Sequence, residues 1–358
     1  MRNTVLLTLA TLVGWMGIET DSQAQNRPPA KKKSLSKAIV SGIELEESSL
    51  TAVVEYLRVK AASANASPEN FILYDPKGTI AERAPEISLK LTNIPISDVV
   101  KYVCNLSETT FIVDRDAVII GDKTDLVELK ARRKGSPGVP GRNPQILKLS
   151  QTRLPEFDFS EVDFATAIDY FRTKANETNQ KVPVNFWIKE NAERNIGGRL
   201  ITLKLSNVSL LDAVRYTSEL ARCTMRYDSI AMVLGDPETI RDIPKFRPLP
   251  GNQMYKRLGN AIITDVELTD APLADVIEFV KYHTRDQAGF PDGVNIIQQT
   301  ATEKTVTLKL AKARALDILV YANEATNTTF KIEGIAIVVK DQPPKKKPAA
   351  APAPAPPR

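Results

Sequence analysis

The chain has 358 residues, of which 42% are hydrophobic and 25% charged, and its net charge is +5. That composition is ordinary for a globular protein and the length allows two or three domains, so a core can form without disulfide staples. One histidine and two cysteines leave little from which to assemble a triad or a zinc centre.

Taken in order, the chain opens with Arg2, the apolar run "VLLTLATLVGWMGI" and a polar turnover with Ser22 and Ala24 at small-residue positions. This predicts a Sec-type signal peptide over residues 1–24, cut after Ala24. Removing Arg2, Glu19 and Asp21 leaves 47 basic and 41 acidic residues, a charge of +6 on the exported chain. No later segment approaches the ~18 apolar residues of a membrane span, so none is expected after cleavage. Residues 25–38 read as a disordered basic segment, and residues 342–358, "QPPKKKPAAAPAPAPPR", as a disordered Pro/Ala/Lys tail. Lys31, Lys32 and Lys33 at one end and Lys345, Lys346 and Lys347 at the other allow weak contact with anionic envelope polymers, beside plain solubility.

Between the ends one unit occurs three times. Residues 87–122 align without gaps on 201–236 with fourteen of thirty-six positions identical, and 306–341 aligns again. Upstream of these lie "IELEESSLTAVVEYLR" (43–58), "FDFSEVDFATAIDYFR" (157–172) and "VELTDAPLADVIEFVK" (266–281), with shared apolar spacing. Ile201, Leu203 and Leu205 alternate with Thr202 and Lys204 as in a strand with one buried face. Val208, Leu211, Val214 and Ala221 follow helical spacing. The whole predicts an α+β protein: three tandem β-α-β-β-α-β-β units over 39–123, 153–237 and 261–341. Pro-rich, partly extended linkers are expected over 124–152 and 238–260.

Asp98, Asp212 and Asp317 fall in the first turn of the second helix of each unit, where a carboxylate faces the positive end of the helix dipole and can cap free N–H groups. Tyr102, Tyr216 and Tyr321 follow four residues later, on the same side, and read as core tyrosines with the hydroxyl reaching a partner. Cys104, late in a helix, and Cys223, at a strand entrance, read as buried free thiols. No catalytic, cofactor-binding or metal-ligating set emerges. His283 sits near a helix end as a surface cap, and HExxH, CxxC and Walker patterns are missing. Glu44, Glu46 and Glu47 cluster on a solvent-facing strand, while Asp158, Glu161 and Asp163 read as turn and helix-start residues. Gly197 and Gly198 in "NIGGR" lack the spacing of a backbone-gripping GxxG loop, so nucleic acid is not expected.

The second copy carries a resemblance. "FDFSEVDFATAIDYF" followed by "ITLKLSNVSLLDAVRYTSELARCTMRYDSIAMVLGD" resembles the secretin and TonB N-terminal short domain, and the other two copies are similar to it. The resemblance covers the three units and not the ends. It implies a small α+β docking module of the bacterial periplasm. A secretin or a TonB-dependent receptor would continue into a long β-rich barrel, and here a Pro/Ala tail follows instead. The expectation is a non-catalytic, exported docking or scaffold protein. It would act in the periplasm, reach the outer membrane only through a partner, and bind a secretin, pilus or secretion component. The alternative is an envelope polysaccharide-binding protein or cryptic hydrolase, for which Trp187 is the one exposed-aromatic candidate.

Overall fold

The computed structural model describes residues 32–135, 144–178, 184–189, 195–227, 231–241, 252–333 and 336–342. The expected signal peptide over residues 1–24, residues 25–31, the centres of both expected linkers and residues 343–358 lie outside the described residues.

The protein is mixed α+β, built from helices and several small sheets. The first unit comprises β1 (Lys33–Ser34), β2 (Ile39–Ser48), α1 (Leu50–Ser63), β3 (Ala66–Ser67), β4 (Asn70–Tyr74), α2 (Thr79–Arg83), β5 (Ile87–Pro95), α3 (Ile96–Leu106), β6 (Thr110–Val113) and β7 (Ala117–Gly121). Helices α4 (Lys123–Gly135) and α5 (Pro144–Gln151) follow. The second unit runs through β8 (Arg153–Asp163), α6 (Phe164–Thr178), β9 (Asn185–Ile188), β10 (Leu200–Ser209), α7 (Leu210–Leu220), β11 (Thr224–Tyr227) and β12 (Ala231–Gly235). After α8 (Pro237–Arg241) and α9 (Gln253–Asn260) comes the third: β13 (Ile262–Pro272), α10 (Leu273–Thr284), β14 (Asn295–Gln298), β15 (Thr305–Arg314), α11 (Ala315–Thr326), β16 (Thr328–Glu333) and β17 (Ala336–Asp341).

Each unit holds a long two-stranded sheet and a short three-stranded one, and the first unit adds the β1-β3 pair. The long strands pair antiparallel, β2 with β5, β8 with β10 and β13 with β15. The short strands form three-stranded sheets in the orders β4-β7-β6, β9-β12-β11 and β14-β17-β16. In these the first pair is parallel and the second antiparallel. The alternation of Ile201, Leu203 and Leu205 is realised as buried positions of β10. Val208, however, still belongs to that strand, and the helix starts only at Leu210, where the Ser209 hydroxyl accepts from the Asp212 N–H at 3.1 Å.

Two local devices recur in every unit. A bulge in the first long strand holds Glu47, Glu161 and Asp270 at φ 41°, 52° and 47°. The N–H freed there donates to a hydroxyl on the paired strand: Ser88 at 3.0 Å, Thr202 at 3.2 Å and Thr307 at 3.1 Å. At the second helix, the first N–H of Ile96, Leu210 and Ala315 donates to the carbonyl of Ala38, Thr152 and Ala261, at 3.0, 2.8 and 2.9 Å. That bond ties the start of each unit to its middle and satisfies a group the helix leaves open.

The described parts of both expected linkers are helical rather than extended. Their apolar residues decide this: Leu126 and Leu129 of α4 and Ile146 and Leu149 of α5 are buried. Ile240 of α8 and Met254 and Leu258 of α9 are buried as well. The segment 25–38 is likewise corrected over its described part. Leu35 and Ala38 are buried in the first unit's core, and β1 pairs in parallel with β3.

The cores do not respect the unit boundaries. Ile72, Ala117 and Ile119 of the first unit belong to one buried cluster with Phe157, Ile201 and Tyr216 of the second. Trp187, Ala231 and Val233 of the second belong to the cluster of Ile263, Leu308 and Tyr321 of the third. The three-stranded sheets of the first two units are thus apolar on both faces, one packed on its own unit and the other on the next. Near-continuous apolar strands such as "AVIIG" follow from that double burial.

Candidate functional site

The chemistry-bearing side chains gather at the two junctions between units. The first junction begins at Asn70, buried at the start of β4. Its amide NH2 donates to the Ser206 carbonyl at 3.0 Å and to the Asp116 carbonyl at 2.9 Å, and its oxygen accepts from the Ser206 N–H at 2.8 Å. Asn185 opens β9 in the same way. Its NH2 donates to the Lys312 carbonyl and its oxygen accepts from the Ala311 N–H, both at 3.0 Å. A side-chain amide matches one backbone donor and acceptor, so each asparagine clasps the outer edge of the next unit's long hairpin.

Beside each clasp an aromatic contact fills the joint. The Trp187 and Tyr321 ring centroids are 4.5 Å apart, and Trp187 is 3% exposed. Trp187 is therefore not a surface platform for sugars, as the alternative required; its indole lies under the third unit. At the first junction Tyr216 donates its hydroxyl to Asp114 at 3.2 Å, and Arg215 lies 4.5 Å over its ring.

The three tyrosines do not share one environment. Tyr216 and Tyr321 are buried at 1% and 2% exposure, but Tyr102 is 49% exposed, which corrects its assignment to the core. The reason lies outside its own unit. A preceding sheet covers Tyr216 and Tyr321, and among the described residues no unit precedes the first.

The three aspartates all occupy first-turn positions, with differing partners. Asp98 pairs with Lys101 at 2.8 Å near the surface. Asp317 is buried and receives Arg314, one of whose contacts measures 2.6 Å. Asp212 is buried and accepts from the Ser209 hydroxyl, from Arg115 of the first unit and from Arg215 at 2.8 Å. Burial alone would raise its carboxyl, but the hydrogen bonds from Ser209 and Asp116 and the Arg215 charge outweigh it and hold it at about 2. Asp116 moves the other way, raised by burial and by its neighbour Asp212. Around them Asp114 joins Arg133 at 3.1 Å and Arg215 at 2.8 Å, and Arg133 takes Glu219 at 2.7 Å through two nitrogens. At the second junction the simpler pair Lys189 to Glu324, 3.1 Å, stands in the place of Glu219.

A charge relay runs along the hairpins as well. Lys204 bridges Asp158 of its own unit at 3.0 Å and Glu55 of the preceding one at 3.8 Å. Lys309 repeats it with Glu267 at 3.2 Å and Asp169 at 3.8 Å. Asp158 is thus a strand residue of β8, not part of a turn. Asp163 does start a helix, accepting from the Thr166 N–H at 2.8 Å.

The remaining sequence candidates have structural roles. His283 lies in the last turn of α10, its ring 4.3 Å from that of Phe279. Gly197 and Arg199 present carbonyls to the N–H groups of Ala165 and Phe164, closing the start of α6. Cys104 and Cys223 are buried and unbridged, and burial raises the Cys104 thiol. A cleft of about 600 Å³ at the second junction is lined by Arg172, Asn176, Asp265 and Lys312 among others. Its arginine is held down to about 10 by burial. Among the described residues no group of three or more His, Cys, Asp or Glu is placed to hold a metal ion. Nor is any helix among them long and apolar enough to cross a membrane.

Sequence reasoning passed over Asn70, Asn185 and Asn295, although the same residue opens the same strand in all three units. Comparison with family models, with curated proteins and with solved structures finds no match to this chain.

Proposed function

We propose that this chain is a non-catalytic docking or scaffold protein of the bacterial cell envelope. In this reading residues 1–24 export it to the periplasm, and the three units are modules of the secretin and TonB N-terminal type. They engage a secretin, a pilus subunit or another secretion component, which brings the protein to the outer membrane.

One observation carries the reading: the side chains that recur from unit to unit are spent on holding modules together, not on shaping a pocket. Asn70 and Asn185 clasp backbone, Tyr216 and Tyr321 seal joints, and Lys204 and Lys309 bridge neighbouring acids. A stack of small sheets with exposed edges suits recognition by added strands or stacked modules. The polysaccharide alternative has lost its aromatic platform, since Trp187 is buried.

The test is cross-linking in living cells, with an affinity tag placed after Ala24, followed by purification and mass spectrometry. The expected result is a secretin, pilus or secretion component as the dominant partner, with the protein itself in the osmotic-shock fraction. Recovery of abundant envelope proteins only, at the level of an untagged control, would overturn the docking reading.

A further inference from the structure

The two junctions are built to one pattern, and among the described residues its two halves stand open in the first and third units. On the giving side of each junction are an asparagine, an apolar residue two positions on and an acid on the first helix. These are Asn70, Ile72 and Glu55 at the first junction, and Asn185, Trp187 and Asp169 at the second. On the receiving side are a hairpin backbone edge, a tyrosine and a lysine. These are Ser206, Tyr216 and Lys204, then Ala311, Tyr321 and Lys309.

In the third unit the giving positions are Asn295, Ile297 and Glu278. Asn295 is exposed, Ile297 is 48% exposed, and the Glu278 side chain is 72% exposed. The strand register is the same: Ile297 lies opposite Val338 as Trp187 lies opposite Val233 and Ile72 opposite Ile119. In the first unit the receiving positions are Thr92, Tyr102 and Lys90. Thr92 pairs with Gly42 as Ser206 pairs with Glu156, so its backbone edge turns outward as that of Ser206 does. Tyr102 and Thr92 are exposed, and among the described residues Lys90 pairs with Glu44 of its own hairpin and with no acid of another unit.

We propose that the chain associates head to tail with a second copy of itself, the third unit of one copy seating on the first unit of the next. Asn295 clasps the backbone edge at Thr92, Ile297 packs on the Tyr102 ring in the place of Trp187 on Tyr321, and Glu278 faces Lys90. The contact continues an interface that the chain already makes twice within itself, and the charges at its two ends are complementary. Because the two surfaces differ, it is heterologous and propagates into a filament or closes into a ring. It rests on the repeated junction alone, whatever compartment the chain occupies.

The test uses the exported form, from Gln25 onward, in sedimentation velocity over about a hundredfold range of concentration. The wild type is expected to grow past the dimer as concentration rises. Ile297→Asp and Tyr102→Asp, both at exposed positions, are each expected to remain monomeric, with at least about a tenfold loss in association constant. Mixed in equal amounts they are expected to form a dimer and nothing larger, since each retains the one end that the other lacks. Lys90→Glu and Glu278→Lys should each weaken association a few-fold, and the two together in one chain should restore it. A wild type that stays monomeric throughout, variants that still assemble alone, or a mixture that gives no dimer would overturn the proposal. A purified chain suffices, so failure here leaves envelope docking standing, and the reverse also holds.

Discussion

Trp187 and Tyr321 stack with ring centroids 4.5 Å apart although they belong to different units. The indole is both part of β9 and the floor of the third unit's core. Truncating it empties a joint as well as a strand. Trp187→Ala is expected to destabilise the protein by about 3–5 kcal/mol, measured by urea denaturation. Trp15 lies in the expected signal peptide, so Trp187 is the single tryptophan from residue 25 onward. Its emission should be blue-shifted in the native state and shift red as the second junction opens.

The asparagine clasps should show a positional contrast. Asn70→Ala and Asn185→Ala each leave a backbone N–H and a carbonyl at a buried joint without their partner, which costs about 1–3 kcal/mol. Asn295→Ala removes the same side chain from an exposed position and should stay within about 0.5 kcal/mol in dilute, monomeric protein. Equal losses at all three sites in denaturant titrations would contradict the assignment of the clasp to the junctions.

The tyrosines make the same point through packing. Tyr216→Ala removes a buried ring and the hydroxyl that donates to Asp114, and it should cost about 3 kcal/mol or more. Tyr102→Ala is expected to change the monomer's melting temperature by no more than about a degree or two. Differential scanning calorimetry at low concentration separates the two.

Acid should loosen the first junction. Asp212 has a folded-state carboxyl at about 2, below its unfolded value. Its contribution is therefore present above the unfolded value of about 4 and is lost as pH falls from there towards 2. For this buried group that is at most about 2–3 kcal/mol. The raised Asp116 has the opposite sign and offsets part of it. Asp212→Asn should lower stability at neutral pH and flatten the acid limb of a stability–pH curve. An unchanged acid limb in the variant would sink the assignment.

Two glycines differ in what they tolerate. Gly293 has φ +86°, and a Cβ there would meet the Lys281 carbonyl oxygen at 2.3 Å. Gly78 has φ +70° with nothing within 4 Å of such a Cβ. Gly78→Ala should cost about 1 kcal/mol from backbone strain alone. Gly293→Ala adds a backbone collision and should cost more, about 2–3 kcal/mol. Circular dichroism melts of the two variants decide the order.

Much of the architecture was legible in the chain itself. The threefold repeat, the β-α-β-β-α-β-β order, to which the first unit adds β1, β3 and α2, and the first-turn places of Asp98, Asp212 and Asp317 follow from local periodicity and capping, which operate over a few residues. The helices α4 and α9 were hidden by their setting. Charged and proline-rich surroundings read as linker, and only burial of Leu126, Leu129, Met254 and Leu258 holds those turns in place. The buried segment around Leu35 was missed for the same reason.

By itself, then, the sequence determined that one α+β unit would be made three times, because apolar spacing and cap residues act on their near neighbours. What the units do to one another was decided only in three dimensions. Asn70 meets Ser206 across 136 positions of chain, Trp187 leaves the surface for Tyr321, and Tyr102 is exposed while its aligned partners are buried. The aligned tyrosine carries the same side chain in each copy, but its burial depends on whether another unit stands against it, and no local pattern records that.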